Sequence, residues 1–407
     1  MASGHTDHER VDGTVERTTG ATTTGRTHWG QVTIISLAHF AHDIYTALLS
    51  PWLPLLIRKL ALSKLQAGSL SVFLQIATFF NPFIGGLVDR RNLVRLLVVV
   101  SPTVTAAGMS LVGLAPSYGA LALLLLVTGL GVAGIHVSTP VAMAHAAGPR
   151  TGLGMSFHML GGELARTLGP IVAVQAVAWW GIEGSWRLFP GGLAASLLLW
   201  WKVRDVRPGR ARQKPTGLFV LWRRTRGMLL AVTGLMSARQ VVSSSLTTFL
   251  PTFLVEQGAG LWMANISLSV FEAAAAVGVL AAGAISDRLG RTRVVLAATL
   301  LAPPLMAGFL LASGVLKLVL LALLGAVILS LNPVIMALMI ETAGEDRAAA
   351  NGTFMMIMFL TRSLLVPAVG ALADVVGLER AYWVCAGLSL SGIFFALLLR
   401  REVDGHQ

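Results

Sequence analysis

A small set of ionisable and amide side chains stands inside stretches of the sequence that are otherwise apolar. A charged side chain costs roughly 3 kcal/mol to place at the centre of a lipid bilayer, so residues of these types are candidates for function. Carboxylates and imidazoles can take up and release protons, and guanidinium groups can hold anions. The candidates are His39, His42, Asp43, His136, Glu163, Arg166, Arg239, Gln240, Glu272 and Arg362.

Asp43 has the position expected of a proton-binding group. It lies about fourteen residues into its apolar stretch, which at about 1.5 Å per residue is near the middle of a membrane. His39 stands one helical turn earlier on the same face, and His42 is adjacent. We predict that Asp43 couples transport to protons and that His39 or His42 shares the proton. In the alternative, Asp43 forms a static ion pair with an arginine, and His39 makes only a hydrogen bond between helices.

Glu163 and Arg166 are three residues apart and therefore share one face of a helix. Gly162 and Gly169 lie along the same face and would let another helix or a ligand approach closely. We predict that Arg166 grips a substrate anion with two parallel hydrogen bonds and that Glu163 is its counter-ion or a proton acceptor. In the alternative, the pair only neutralises itself.

An alignment of the two halves of the sequence places polar groups at matching depths. His42 with Asp43 falls opposite Arg239 with Gln240, and Arg166 falls about one residue from Arg362. The charges of three acids then cancel those of three arginines, namely Asp43, Glu163 and Glu272 against Arg166, Arg239 and Arg362. A proton on any of these acids leaves a positive cavity that attracts an anion. An alternative for Glu272 is a simple ion pair with Arg239. The predicted substrate-binding residues are Arg166, Arg239, Gln240, Arg362, His136 and Glu272.

The elements that position these residues are long apolar segments. Of the 407 residues, 55% are hydrophobic and 12% are charged, and the mean hydropathy is +0.74, values that a soluble domain does not sustain over this length. About 20 apolar residues cross a hydrocarbon core. Twelve spans are predicted, near residues 29–57, 65–88, 93–114, 118–146, 151–180, 183–202, 227–255, 261–286, 293–314, 316–341, 347–376 and 378–399.

The positive charges concentrate on one side of the predicted membrane. The net charge is +12, but most Lys and Arg residues fall in alternate connections and in the two tails, as the positive-inside rule requires. This distribution argues against nucleic-acid binding. It predicts a protein embedded in the lipid of a bacterial-type inner membrane, with both termini cytoplasmic. Residues 1–28 have no apolar core of the signal-peptide kind, so we expect a disordered tail.

The sequence repeats itself across its midpoint. SLSVF occurs at residues 69–73 and again at 267–271, and the same offset carries Asp89 onto Asp287. Two parallel repeats predict a pseudo-two-fold axis along the membrane normal, with the site between the halves. The predicted organisation is a tail (1–28), an N-terminal six-helix bundle (29–203), a basic linker (204–226), a C-terminal six-helix bundle (227–400) and a second tail (401–407).

Two short polar turns join predicted spans. They read GAISDRLGRTR at residues 283–293 and, in a degraded copy, GGLVDRRNLVR at residues 85–95. Charged contacts between these turns and neighbouring helices would latch the cytoplasmic side; in the alternative, the turns only anchor the topology. The predicted gating residues are Asp89, Arg90, Asp287, Arg288, Arg291 and Glu341, with Glu341 expected to contact Arg288 or Arg291.

These motifs resemble a known family. The repeated G-x-x-x-D-R turn, with twelve spans and a central basic linker, is similar to the signature of the major facilitator superfamily over essentially the whole chain. AHFAHDIYTALLSPWLPLLI at residues 38–57, GVAGIHVSTPVAMA at 131–144 and GGELARTLGP at 161–170 resemble, more narrowly, the fosmidomycin resistance family of proton-coupled efflux carriers. The resemblance implies two six-helix bundles around a midplane cavity, and it implies export.

Together, the residues and the resemblance predict a proton-coupled transporter that exports a small organic, anionic compound or drug. The first alternative is proton-driven uptake of an organic anion, because the same residues would serve a symporter. The second is a receptor or scaffold that does not transport. We expect no enzymatic activity, no cofactor and no metal ion, since no nucleophile or compact ligand set is evident. We also expect a monomer.

Overall fold

The computed structural model describes residues 27–203, 218–342 and 347–404. Within these ranges every regular element is a helix, as predicted for an all-α membrane protein. A short 3-10 turn, Ile76–Phe80, separates α3 from α4. The helices of the N-terminal half are α1 (Trp29–Thr46), α2 (Leu49–Leu60), α3 (Lys64–Gln75), α4 (Asn81–Arg91), α5 (Val94–Leu111), α6 (Tyr118–Ala147), α7 (Thr151–Trp180) and α8 (Phe189–Lys202).

The C-terminal half repeats this arrangement. Four spans are helix pairs broken near their middle, namely α1–α2, α3–α4, α12–α13 and α15–α16, so sixteen helices form the twelve predicted spans. The C-terminal helices are α9 (Leu218–Glu256), α10 (Leu261–Leu289), α11 (Arg291–Leu311), α12 (Gly314–Leu329), α13 (Leu331–Thr342), α14 (Arg347–Val376), α15 (Leu378–Ser389) and α16 (Ser391–Asp404).

Two predicted boundaries differ from those in the structure. Helix α9 already includes Leu218, nine residues before the expected start at 227. Helix α16 continues to Asp404, into the segment expected to be a tail. The predicted tail up to residue 26 and the linker residues 204–217 lie outside the described residues.

Hydropathy alone identifies fewer spans than the fold contains. Eight helical segments of the described chain are long and apolar enough to cross a membrane, and one of them, Tyr118–Trp180, holds both α6 and α7. These two helices turn at Gly148, whose φ of 53° favours glycine. The remaining spans are the broken pair α3–α4, the 14-residue α8 and α9, which carries Arg239, Gln240 and a run of serines.

Proline explains where two of the spans break. Proline donates no backbone hydrogen bond, and its ring crowds the carbonyl four residues earlier. Pro51 follows the interruption between α1 and α2, and Pro333 follows the interruption at Ser330 between α12 and α13. The second break leaves the carbonyl oxygen of Ile328 free to accept a hydrogen bond from the side chain of Arg239.

The two halves meet around the pseudo-two-fold axis that the repeat predicts. The hydroxyl of Ser50 on α2 donates a 2.7 Å hydrogen bond to the carbonyl oxygen of Thr248 on α9. The alignment that places His42 opposite Arg239 puts Ser50 opposite Thr247, the residue next to Thr248, so this contact joins nearly equivalent positions of the two halves. Further contacts between the halves run along α3 against α14 and along α7 against α10.

Candidate functional site

A buried group of polar side chains lies between α1, α5, α6 and α7. We call it the histidine cluster; it consists of His39, His42, Asp43, Thr105, His136 and His158. Two glycines of α7 let α1 approach closely. A β-carbon at Gly161 would lie 2.7 Å from the carbonyl oxygen of Ser36, and one at Gly162 would lie 3.2 Å from Oδ2 of Asp43. The sequence places these glycines where close packing of α1 requires them.

The hydrogen-bond partner of His39 places a hydrogen on one of its two ring nitrogens. Nδ1 of His39 lies 2.9 Å from the carbonyl oxygen of His158, and a carbonyl only accepts, so Nδ1 carries a hydrogen. Nε2 lies 3.2 Å from Oδ2 of Asp43, at an angle short of a hydrogen bond. His39 and Asp43 are thus close enough for a proton to pass between them.

Both ring nitrogens of His42 have hydrogen-bond partners. Its Nδ1 lies 2.9 Å from Oδ1 of Asp43, and its Nε2 lies 2.8 Å from the hydroxyl oxygen of Thr105. Nδ1 donates to the carboxylate, and the hydroxyl of Thr105 donates to Nε2. Thr105 orients His42 in this way, and sequence reasoning missed it because a threonine in an apolar span carries no signal of its own.

His136 connects the histidine cluster to its surroundings. Nε2 of His136 lies 3.7 Å from Oδ1 of Asp43, and its side chain is 36% exposed, against 11% for Asp43. The fourth ring, His158, stacks on His39 with 3.9 Å between centroids. His158 was not predicted from the sequence to belong to the site. It lies a turn and a half before Glu163 and on a different side of the helix.

Three members of the histidine cluster offer the kinds of atom that bind metal ions. His39, Asp43 and His136 each place one ligand atom within 4.8 Å of the other two. In a tetrahedral zinc site the ligand atoms lie about 3.4 Å apart, given bonds of about 2.1 Å. The two histidine nitrogens lie 3.2 and 3.7 Å from the carboxylate oxygens of Asp43, close to that spacing, so the group could hold a metal ion as well as a proton.

A second group, the central charge cluster, joins the halves and consists of Glu163, Arg166, Glu272 and Arg362. Nη2 of Arg166 contacts Oε2 of Glu163 on the same helix, α7, and Nε lies 3.5 Å from Oε2 of Glu272 on α10. The side chain of Arg166 is 48% exposed, whereas that of Glu272 is 8% exposed. One arginine thus bridges an acid of its own bundle and a buried acid of the other.

Arg362 on α14 completes this cluster. It interacts electrostatically with both Glu272 and Arg166, and its Nε is buried without a hydrogen-bond partner among the described residues. The two acids and the two arginines of this cluster balance in charge. A guanidinium donor of this kind suits a carboxylate or a phosphonate.

Arg239 and Gln240 lie elsewhere than the repeat alignment suggested. Arg239 is 5% exposed and points into the C-terminal bundle, where Nη1 donates a 2.7 Å hydrogen bond to the carbonyl oxygen of Ile328 and Nη2 contacts Oδ1 of Asn332. Oε1 of Gln240 accepts from Ser243 at 2.8 Å. The pairing of Glu272 with Arg239, the alternative considered above, is wrong, because Glu272 faces Arg166. Alignment gives depth along a helix but not the direction in which a side chain points.

The contacts predicted for the turn at residues 283–293 form within the C-terminal half. Nε and Nη2 of Arg291 lie 2.7 and 2.6 Å from the carboxylate oxygens of Glu341. Arg291 is one of the two partners expected for Glu341. Its Nη2 also lies 3.2 Å from Asp287. Arg288 and Arg90 are exposed. Asp89 belongs to α4, and its side chain lies outside the described part of the structure.

Twelve membrane-spanning helices in two pseudo-symmetric bundles, with buried charges paired between them, define a membrane transporter. Comparison with known proteins gives the family. The profile of the Major Facilitator Superfamily matches residues 35–361 and 263–407, and the chain belongs to this superfamily.

Two curated proteins match over nearly their whole length. The chain is 26% identical over 387 residues to the fosmidomycin resistance protein of Escherichia coli strain K12, covering 93% of this chain and 95% of that one. It is 25% identical over 386 residues to the uncharacterized MFS-type transporter YfnC of Bacillus subtilis strain 168, covering 92% and 94%. These matches support the narrower resemblance that the motifs of the first, fourth and fifth spans predicted.

Solved structures share the fold at lower identity. The nucleoside transporter NupG aligns with a TM-score of 0.76 at 16% identity over 92% of this chain and 100% of its own. A D-xylose-proton symporter aligns with a TM-score of 0.71 at 17% identity over 93% and 99%. These likenesses concern the architecture, and the predicted twelve-span fold is confirmed.

Proposed function

We propose that the protein exports a small organic anion in exchange for protons. The observation that carries this proposal is the bridge from Arg166 on α7 to Glu272 on α10, which ties the two halves together through one exposed arginine and one buried acid. Rocking of the halves changes the distance between these helices. The bridge is therefore a restraint that a ligand must release.

Either of the two transported species can release the bridge. An anion that binds Arg166, with Arg362 as a second donor, replaces the carboxylate of Glu272. A proton on Glu272 removes its negative charge and weakens the same contact. The empty, deprotonated protein keeps the bridge and does not cross, so substrate leaves in one half of the cycle and protons enter in the other. A buried carboxylate without a cationic partner is costly, which favours protonation when the bridge opens.

The histidine cluster supplies the proton in this proposal. His136 is its most exposed member and lies 3.7 Å from Asp43, so it is the point of exchange with the cavity. Asp43 and His39, whose side chains lie 3.2 Å apart, hold the proton. Arg166 is attracted by Asp43 as well as by Glu163 and Glu272, so the charge of Asp43 is felt at the substrate site. The assigned roles are proton transfer for His39, His42, Asp43 and Glu163, substrate binding for Arg166 and Arg362, and both roles for Glu272 and His136.

Proton-driven uptake of an anion is the second candidate, and the same charge balance favours it. A proton on any acid leaves the cluster positive, so proton and anion can bind together. Inside-out vesicles separate the two directions, with fosmidomycin, a phosphonate, as the probe suggested by the curated relative. Accumulation driven by a lumen more acidic than the medium supports export. Accumulation driven only by the opposite gradient supports uptake.

Binding by itself tests the anion part of the proposal. A panel of phosphonates, carboxylates and uncharged drugs is added to the purified protein, and the melting temperature is measured for wild type and for Arg166→Ala. Anions should raise the melting temperature of wild type and not of the variant. A panel in which only uncharged drugs stabilise the protein, equally in both, contradicts an anionic substrate. A protein that binds anions but moves none of them would be a receptor.

A further inference from the structure

Asp374 near the end of α14 contacts the other half of the protein through two backbone groups. Its Oδ1 accepts a 2.6 Å hydrogen bond from the backbone N–H of Lys64, and its Oδ2 accepts a 2.9 Å bond from that of Leu65. Lys64 and Leu65 are the first two residues of α3. One carboxylate of the C-terminal bundle therefore caps a helix of the N-terminal bundle.

The start of α3 cannot satisfy these two groups by itself. The first N–H groups of a helix have no partner within it. Ser63 and Gln66 form a capping box, in which the hydroxyl of Ser63 accepts from the backbone of Gln66 and the side chain of Gln66 accepts from the backbone of Ser63. That box serves the third N–H of α3. The first and second depend on Asp374, and a carboxylate at a helix N-terminus is also favoured by the helix dipole.

Small residues bring α14 close enough for this contact. A β-carbon at Gly370, one turn before Asp374, would lie 2.3 Å from the carbonyl oxygen of Lys64, and one at Gly68 would lie 3.0 Å from the carbonyl oxygen of Val366. Val366, Gly370 and Asp374 are spaced four residues apart and form one face of α14. Lys64 and Gly68 form the matching face of α3, so the two helices pack backbone to backbone.

A second ionic contact involves the same end of α3. Nζ of Lys64 lies 3.1 Å from Oε1 of Glu256, the last residue of α9. Lys64 is thus held by two helices of the C-terminal half, through its side chain by α9 and through its backbone by α14. These contacts lie on the side of the membrane that the distribution of basic residues predicts to be external.

We propose that Asp374 is a gating residue that holds this side of the transporter closed. When the halves rock apart there, the carboxylate separates from α3, and water takes over the N–H groups of Lys64 and Leu65. The contact has no equivalent at the matching positions of the repeat. The sequence repeat places Val177, which has no carboxylate, at the position equivalent to Asp374. The N-cap residue of α10 is Gly260, and no side-chain hydrogen bond caps that helix. The proposal depends on the rocking of the halves and not on which substrate or ion is carried.

The test measures how far the two halves separate on the Asp374 side. Spin labels are placed at Pro116 and Ser313, both exposed residues at the ends of α5 and α11, in a background in which the buried Cys385 is replaced by serine. Pulsed EPR then gives the distance distribution in nanodiscs without substrate. Asp374→Ala should move the ratio of the long to the short distance upward by about tenfold, the effect of losing a charged helix cap. Asp374→Glu should restore much of the short distance.

Glu379→Ala is the matched control, because Glu379 is an exposed acid in the first turn of α15 on the same side of the membrane. It should leave the distance distribution as in the parent protein. Equal distributions for Asp374→Ala and the parent would overturn the proposal, as would an equal shift in Glu379→Ala. Circular dichroism and melting temperature identify a variant that fails to fold; in that event Asp374→Asn, which keeps one acceptor oxygen, must show an intermediate shift.

Discussion

Arg166 and Glu272 face each other across the boundary between the two bundles, with Nε of the arginine 3.5 Å from Oε2 of the acid. The arginine is half exposed and also contacts Glu163, while the acid is buried. A ligand can therefore reach the positive end of this bridge, whereas the negative end depends on it for neutralisation. This asymmetry makes the bridge a place where an anion and a proton can act on one contact.

Anion binding should require the planar guanidinium group of Arg166, and a positive charge alone should not be enough. Arg166→Lys keeps the charge but loses the planar pair of donors. Loss of one charge-assisted hydrogen bond is worth about 1.5–3 kcal/mol, so we expect the affinity for fosmidomycin to fall by about tenfold or more. Isothermal titration of the purified protein measures this. Arg400→Lys, at an exposed ion pair with Asp404, serves as the control and should bind as wild type; equal affinities in all three proteins would argue against the assigned role.

Asp43 should be needed for coupling to protons but not for binding substrate. Asp43→Asn keeps the shape of the side chain and removes the group that takes up the proton. We expect proteoliposomes with this variant to exchange external for internal fosmidomycin while losing accumulation driven by a pH gradient. His145→Gln changes a histidine on α6 outside the histidine cluster and should retain both activities. Full gradient-driven accumulation by Asp43→Asn would show that the proton is carried elsewhere.

Gly162 should be needed for normal proton coupling, because its lack of a side chain lets α7 pack closely against the histidine cluster. A β-carbon there would lie 3.1 Å from Cε1 of His39 and 3.2 Å from Oδ2 of Asp43, so in Gly162→Ala these two side chains must shift by a few tenths of an ångström. The proton should then be held less tightly, and proton-driven transport should require a larger gradient. A β-carbon at Gly152, on the same helix, meets no heavy atom within 4 Å. Gly152→Ala should transport as wild type, and identical behaviour of the two variants would refute the argument.

Arg239 should contribute to stability more than to substrate binding. Its guanidinium group donates to the carbonyl oxygen of Ile328 at the break between α12 and α13, and Arg239→Ala leaves that buried acceptor without a partner, at a cost of about 1–3 kcal/mol. We expect a lower melting temperature with an unchanged affinity for fosmidomycin. If the affinity falls as far as in Arg166→Lys while the melting temperature is unchanged, Arg239 belongs to the substrate site as the sequence suggested.

The sequence predicts the fold and the pairs of polar residues within one helix, because both depend on short, regular spacings along the chain. The repeated SLSVF and G-x-x-x-D-R segments indicate two related bundles, and the separations of His39 from Asp43 and of Glu163 from Arg166 place each pair on one helical face. Contacts between helices distant in sequence need the rotation of each helix as well as its depth. The partner of Glu272 and the direction of Arg239 depend on that rotation and could not be predicted. Asp374 was missed because its partners are backbone groups, which leave no trace in side-chain patterns.

The central claim is that the Arg166–Glu272 bridge stops the empty, deprotonated carrier from crossing. Glu272→Gln removes the charge that holds the bridge, and the measurement is net efflux of preloaded fosmidomycin from proteoliposomes at pH 8 on both sides, with no external substrate. Wild type should empty slowly, because the unloaded protein cannot return, and Glu272→Gln should empty several times faster, at a rate that depends less on pH than that of wild type. Equal efflux rates for the two proteins at equal amounts of folded protein would contradict the claim.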